Sequence, residues 1–363
     1  MLIGIDASRA ARSQRTGVEE YSYQLIKELA AQDSQNQYRL YSDRELPAEL
    51  MKRLPPNFEV RVLPFFRLWT QVRLAWELFR NPPDVLWVPA SAMPVFHSRR
   101  TIVTIHGLEF EYFPEAYNAL ARSYLRFSTK LAVRQAWRLL VVSENTKQDL
   151  IEKYNCDPKK IFVVPNGYSR PEVATARADE TLSRYNLKEQ SYFIFTGRLE
   201  KRKNLRRLIE AFNRFKSHGD YPAKLLLAGK EGFGSTLIKE KISESPFVKD
   251  IVVPGYVDKS DFAIFLHSAR AMVYPSLYEG FGIPILESLS VETPVICSRI
   301  SSLPEVGGDA VTYFDPVDVS DIARKMTAVW ERLNLPDDQV IARQLAKFSW
   351  SKSAGQIKRV LTQ

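Results

Sequence analysis

The sequence predicts an α/β protein made of two doubly wound domains. Three observations carry this. Short, continuously apolar runs alternate with stretches of helical spacing along the chain. The alternation stops at a polar segment, 168–190, and then restarts. The length, 363 residues, suits two domains of ordinary size.

Residues 2–7 (LIGIDA) open the first domain as a buried strand. A loop with Arg9, Arg12 and Arg15 ends at Thr16-Gly17, and Val18, Tyr21, Leu25 and Leu29 then recur at helical spacing. Further strands are expected at 38–43, 58–63, 85–89, 101–107, 138–144 and 160–167. Several are apolar throughout, as in parallel strands covered on both faces. Helices are expected near 70–80 and 119–138. This places a first domain at 1–170 and an interdomain connection at 171–190. The second domain, 191–345, has expected strands at 192–197, 224–229, 250–255, 271–276, 293–298 and 310–315. Residues 346–363 read as a final helix packing back on the first domain. A central cleft between two such domains is the default ligand site.

Composition narrows the class. Apolar content of 45% and charged content of 26% are those of a soluble globular protein. The two cysteines, Cys156 and Cys297, allow no disulfide framework or zinc spacing and fit a reducing compartment. The first residues lack the apolar core of a signal peptide, and no run approaches the ~20 residues that span a bilayer. A cytoplasmic protein is expected. The formal charge is +9, and residues 1–170 carry 24 Lys and Arg against 18 Asp and Glu. Such a surface suits phosphorylated ligands or an anionic membrane. No compact basic block or nucleic-acid motif is present, so nucleic acid is not an expected partner. The segment 65–80 (FFRLWTQVRLAWELFR) mixes aromatics with arginines. It reads first as a domain helix with its arginines in water, with peripheral membrane contact as the alternative.

The stretch Pro275–Ser298 carries the densest signal. Glu279 and Glu287 lie eight apart, with Gly280, Gly282 and Pro284 between them. Proline is tolerated in the first turn of a helix, so a helix is expected to start near Pro284. Phe281, Gly282 and Ile283 offer no capping oxygen, and the first N–H groups of that helix need an acceptor. The residues alone leave a structural turn and an anion site both open. Upstream, FTG feeds the loop RLEKRKN and then an amphipathic helix with Asn204 as expected N-cap. Arg198 to Arg207 holds six cations and one carboxylate. A solvated loop tolerates that, and a bound diphosphate held by Arg198 and Lys203 would reverse the balance. His106 ends the strand TIVTIHG, at the edge of an open α/β sheet that faces a cleft. No Walker A loop, Gly-x-Ser-x-Gly elbow or His/Cys cluster occurs, and neither a dedicated metal site nor a cofactor is expected.

These residues together resemble the retaining glycosyltransferases of family 4, which have the GT-B fold. Glu279 and Glu287 match that family's Glu–seven residues–Glu motif, and FTGRLEKRKNLRRLIEAF matches its phosphate loop. VSENTKQDL and VVPNGY are similar to its domain-closing segments, RTGVEEYSYQL to its amino-terminal glycine loop, and FSWSKSA to the start of its terminal helix. The resemblance implies that Arg198 and Lys203 hold the diphosphate of a nucleotide sugar and that Glu287 binds the ribose. It implies that Glu279, with backbone near Phe281 and Gly282, holds the sugar. Gly197, Gly280 and Ile283 would line the same pocket. His106 would contact the sugar and Gly17 would border the donor and acceptor space. Gly107 stands where the family often has Asp, a departure on the sugar side. The implied activity is retaining transfer of a hexose, mannose from GDP-mannose, to a glycan or lipid-linked glycan in polysaccharide synthesis. A nucleotide-sugar epimerase or hydrolase on the same fold, or a non-catalytic nucleotide-sugar-binding protein, are the competing classes.

Overall fold

A computed structural model describes residues 1–15, 17–333 and 335–363, so Thr16 of the glycine loop lies outside the described residues. The chain divides into two compact units. One takes Met1–Gly167 together with Phe348–Gln363, the other Tyr168–Lys347.

The first unit holds a parallel sheet of seven strands. They are β1 (Leu2–Asp6), β2 (Gln37–Ser42), β3 (Phe58–Val62), β4 (Val85–Val88), β5 (Thr101–Ile105), β6 (Arg138–Val141) and β7 (Ile161–Val163). Their order across the sheet is β3-β2-β1-β4-β5-β6-β7. The inner strands β4 and β5 are buried at every position, which is why they read as unbroken apolar runs. The Gly17–Gln32 helix buries Tyr21, Leu25, Ile26 and Leu29. The Trp350–Thr362 helix belongs to this unit, and Trp350, Ala354, Ile357 and Leu361 are its buried side. Ser353 Oγ donates to the Pro165 carbonyl at 2.6 Å. At Gly167 an added Cβ would fall 2.1 Å from the Trp350 amide nitrogen, so only glycine allows this close approach.

The second unit holds six parallel strands: β8 (Tyr192–Thr196), β9 (Lys224–Ala228), β10 (Ile251–Gly255), β11 (Ala271–Tyr274), β12 (Val295–Ser298) and β13 (Thr312–Phe314). The order is β10-β9-β8-β11-β12-β13. Beneath the sheet, Phe193 and Phe215 meet edge-on at 5.4 Å and both pack on Trp330. The two sheets establish the doubly wound α/β architecture. Each expected strand is present, and most are shorter at the carboxyl end, where Gly, Pro and Ser lead into loops.

Two expectations need correction. The stretch 171–190 is not merely a connection, because Ala178–Arg184 is a helix of the second unit. It buries Thr181 and Leu182, and Arg184 reaches Asp261 at 3.1 Å. Seven residues with one large apolar side chain are too few to register as periodicity. Asn204 occupies the N-cap position of the Leu205–Ser217 helix, yet its side chain makes no cap. Its backbone is left-handed (φ 59°), and its amide donates to the Pro316 carbonyl instead. The 65–80 segment forms a π-turn, Thr70–Leu74, followed by the Ala75–Arg80 helix. It buries Leu74, Ala75 and Leu78, but Trp76 and Phe79 face solvent together with the arginines.

Candidate active site

The second sheet reverses its winding between β8 and β11. From β8 the chain steps outward to β9 and β10, and β11 then begins the other side. Loops leaving neighbouring strand ends at such a point part from each other and leave a crevice. Here these are the loops 197–204 and 275–282, the two that carry the cations and the carboxylate. Leu277 N–H donates to the Arg202 carbonyl at 2.9 Å, which ties the loops together.

Lys203 and Glu279 meet across this junction. Lys203 Nζ donates to Glu279 Oε1 at 2.5 Å and to Tyr274 Oη at 2.9 Å. Arg202 Nη1 lies 2.9 Å from Glu279 Oε2 and donates to the Tyr278 carbonyl. Its Nη2 donates to Glu200 Oε1 at 2.7 Å. Lys203 is 6% exposed and Glu279 8%, so the pair is removed from water. Burial alone would raise the Glu279 carboxyl, but Arg202 and Lys203 outweigh it and hold it at about 2. Burial lowers the Lys203 ammonium, with Glu279 opposing. Tyr274 is pushed well above its ordinary value by burial and by Glu279, and stays a neutral phenol.

The backbone around Glu279 is held from the loop that follows β12. Ser301 Oγ accepts from the Glu279 N–H at 2.9 Å, and Ser302 Oγ donates to the carbonyls of Glu279 and Phe281. Ser301 itself is left-handed (φ 50°), a conformation that costs a serine about 1 kcal/mol or more. The Ile283–Ser290 helix starts with Gly282 at its N-cap and no side-chain cap, as the sequence predicts. Gly282 has φ 115°, a region glycine alone enters freely. Ile283 and Pro284 form the first turn, and Glu287, half-buried, lies in the second. Gly280 is half-buried and Phe281 buried in the preceding loop.

Arg198 is placed apart from this cluster. It follows Gly197 at the carboxyl end of β8 with its side chain exposed, and it forms no ion pair with Glu279. Gly197 lies closer in: a Cβ there would be 3.9 Å from Lys203 Nζ. Sequence reasoning missed Arg202, Tyr274, Ser301 and Ser302. Arg202 was one of six cations within the ten residues 198–207. The serines had a usable signal, since they follow the end of β12, beside β11.

In the first unit, His106 follows β5. Its Nε2 lies 2.7 Å from the Pro89 carbonyl, just beyond β4, and its ring meets Tyr21 edge-on at 4.6 Å. A carbonyl only accepts, so Nε2 carries the proton. Burial pushes the imidazole down to about 4, against the pull of that carbonyl. The neutral ring therefore leaves Nδ1 as an acceptor at pH 7. Gly17 opens its helix exposed, and a Cβ there would meet nothing within 4 Å. Among the described residues no three His, Cys, Asp or Glu side chains group as metal ligands. No helix among them is long and apolar enough to cross a membrane.

Comparison with known proteins places these motifs. Residues 15–170 match the family described as Glycosyltransferase Family 4, and residues 179–342 match Glycosyl transferases group 1. The chain is a glycosyltransferase. O-antigen chain mannosyltransferase B of Escherichia coli is 28% identical to this glycosyltransferase over 97% of each chain. O-antigen chain mannosyltransferase RfbU of Salmonella typhimurium is 27% identical over 61% of this chain and 58% of that protein. Among solved structures, Anabaena HepE in complex with UDP-glucose superposes with a TM-score of 0.75. It covers 99% of both chains at 14% identity, a likeness of fold.

Proposed function

We propose that this glycosyltransferase moves mannose from GDP-mannose, with retention of configuration, to a glycan or lipid-linked glycan acceptor in polysaccharide synthesis. The observation that carries it is the Arg202–Glu279–Lys203 cluster at the β8/β11 switch point, beside an uncapped helix start. The names of the O-antigen mannosyltransferases support the choice of sugar and pathway.

Transfer builds positive charge at the anomeric carbon and negative charge on the departing diphosphate. Preorganised positive groups lower the second cost. Arg198, Lys203 and the first turn of the Ile283–Ser290 helix are proposed to meet the diphosphate, Glu287 the ribose, and Glu279 the sugar hydroxyls. Gly197, Gly280, Phe281 and Gly282 are proposed to line the pocket. The charge balance sets a condition. Arg202, Lys203, Glu200 and Glu279 sum to zero, so the cluster attracts an anion only weakly while Glu279 holds Lys203. A sugar hydroxyl donating to Glu279 would release Lys203 Nζ toward the diphosphate. Binding of the sugar and stabilisation of the leaving group are then one event. The leaving phosphate takes the acceptor's proton. No metal is proposed in these steps, and the enzyme would work in the cytoplasm.

The test is a panel of GDP- and UDP-sugars read by thermal shift and nucleotide release. GDP-mannose is expected to stabilise most and to release GDP only with a glycan acceptor present, with or without EDTA. Release without acceptor would favour a hydrolase, and stabilisation by UDP-sugars alone would overturn the donor. A shift from none of them would sink the reading altogether.

A further inference from the structure

One hydrogen bond does not by itself hold the His106 ring. Its Nε2–H reaches the Pro89 carbonyl at 2.7 Å, which fixes one nitrogen. The plane of the ring stays open, because the last torsion of a histidine has a broad minimum. Tyr21 sets that plane. The two rings meet at 4.6 Å with their planes at 90°. Tyr21 is fully buried, so a tilt of the imidazole runs into a side chain packed on all sides.

Three elements keep Tyr21 in place. Its hydroxyl lies 3.3 Å from Thr104 Oγ1, two residues before His106 on β5. Trp87 Nε1, on β4, donates to the same Thr104 oxygen at 3.0 Å, and the Trp87 ring meets Tyr21 edge-on at 6.3 Å. The third is Trp350, whose ring meets Tyr21 at 6.2 Å and 73°. Trp350 does not belong to the sheet. It enters with the chain's return to the unit at Phe348. Its helix is keyed to the Gly17–Gln32 helix that carries Tyr21. Gln32 Nε2 donates to the Ser351 carbonyl at 3.1 Å and to Ser351 Oγ at 3.0 Å, and Lys358 Nζ donates to the Gln32 carbonyl at 3.1 Å.

Two charged groups face the imidazole, Glu19 from the Gly17–Gln32 helix and Arg9 from the loop after β1. Burial outweighs both: Glu19 favours the charged ring, Arg9 opposes it, and the two pair with each other at 3.3 Å. The ring is neutral because water is kept from it, and Tyr21 is the ring packed against it.

We propose that Tyr21 is a positioning residue for His106 and that Trp350 positions Tyr21 in turn, so that the terminal helix fixes the orientation of the imidazole. The consequence for transfer rests on the sugar contact that the family resemblance implies for His106. The chain of ring contacts does not rest on it.

The experiment is proton NMR of the full chain, labelled in its aromatic rings and free of donor. In the wild type, cross-relaxation should connect His106 with Tyr21 and Tyr21 with Trp350. Absence of either would overturn the proposal, whether or not any variant folds. Trp350→Leu and Tyr21→Leu should each raise the His106 midpoint from about 4 by roughly one pH unit or more, as water reaches the ring. Trp350→Phe and Tyr21→Phe keep a ring and should titrate close to wild type. The double leucine variant should shift no further than Tyr21→Leu alone, because the effect of Trp350 passes through Tyr21. Lys358→Ala loosens the same helix away from Trp350 and should leave His106 unmoved. An unmoved midpoint in folded Trp350→Leu, an equal shift in Lys358→Ala, or additive shifts in the double variant would each overturn the proposal. Initial rates separate it from the proposed reaction. Trp350→Leu should lower turnover of GDP-mannose by about tenfold or more, and the loss should deepen as pH falls toward the raised midpoint. A normal rate beside a shifted midpoint would remove His106 from the sugar and leave the ring contacts standing.

Discussion

Glu279 is the counter-ion of Lys203, 2.5 Å away and 76 residues distant in sequence. The residue marked for the diphosphate of a sugar nucleotide and the one marked for its sugar are thus bound to each other. Arg202 completes the arrangement by taking the second carboxylate oxygen.

Competition between Glu279 and a diphosphate makes Glu279→Gln informative. Removing the carboxylate's charge leaves Lys203 and Arg202 freer for an anion. GDP alone should then bind more tightly, by about tenfold if the change is near 1.4 kcal/mol. Turnover of GDP-mannose should fall by two orders of magnitude or more. Calorimetric binding and initial rates separate the two effects, and weaker GDP binding would argue against the competition.

Stability should respond differently from activity. Glu279→Ala strands the buried Lys203 and takes one of the two carboxylates that pair with Arg202, a loss of about 3–5 kcal/mol. With a melting shift of roughly 2–4 °C per kcal/mol for a domain of this size, the second unit should melt about 10 °C lower. Lys203→Met combined with Glu279→Leu removes both charges and should recover much of that loss. Calorimetry of the three proteins tests it. Additive losses would mean that the pair is not coupled.

Arg198 and Arg202 should part company. Arg198→Ala removes an exposed side chain and should leave the melting temperature within about 1 °C while abolishing transfer. Arg202→Ala should weaken both, because it removes one of the two cations on Glu279 and a donor to the Tyr278 carbonyl. A normal rate for Arg198→Ala would displace it from the site.

Acid should unsettle the protein through identifiable groups. Glu279 titrates near 2 folded and near 4.5 when free, so its contribution is full above about 4.5 and fades as pH falls toward 2. His106 titrates near 4 folded against 6.5 free. Its contribution is full above about 6.5 and fades toward 4. Proton NMR of the His106 ring should show no titration between pH 8 and 5. A midpoint near 6.5 would contradict the burial and the tautomer.

The fold was legible because burial on both sheet faces leaves plain traces: AMVY and VLWV are apolar at every position. The site was legible in part. Gly282 and Pro284 announced a capless helix start from local chemistry. The ion pair was not legible, since nothing in RLEKRKN says which cation turns inward. Arg198 and Lys203 were singled out there, and the inward ones are Lys203 and Arg202. The left-handed turn at Asn204 redirects the chain at that point. The outward rings of the 65–80 face were not legible for a different reason. Its aromatics look like core residues by composition, and only the position of the helix on its neighbours shows which of them were left out.

The Trp350–Thr362 helix carries a consequence for biosynthesis. It covers the Gly17–Gln32 helix, yet it is made only after the 180 residues Tyr168–Lys347 have been translated. At about 5–20 residues per second, that interval is roughly 9–36 s. During it the nascent first unit presents Tyr21 and its neighbours uncovered, while the second unit already has everything it needs to fold. Ribosome-bound chains stalled before Trp350 should therefore be protected from protease in their later half and cut within their earlier one.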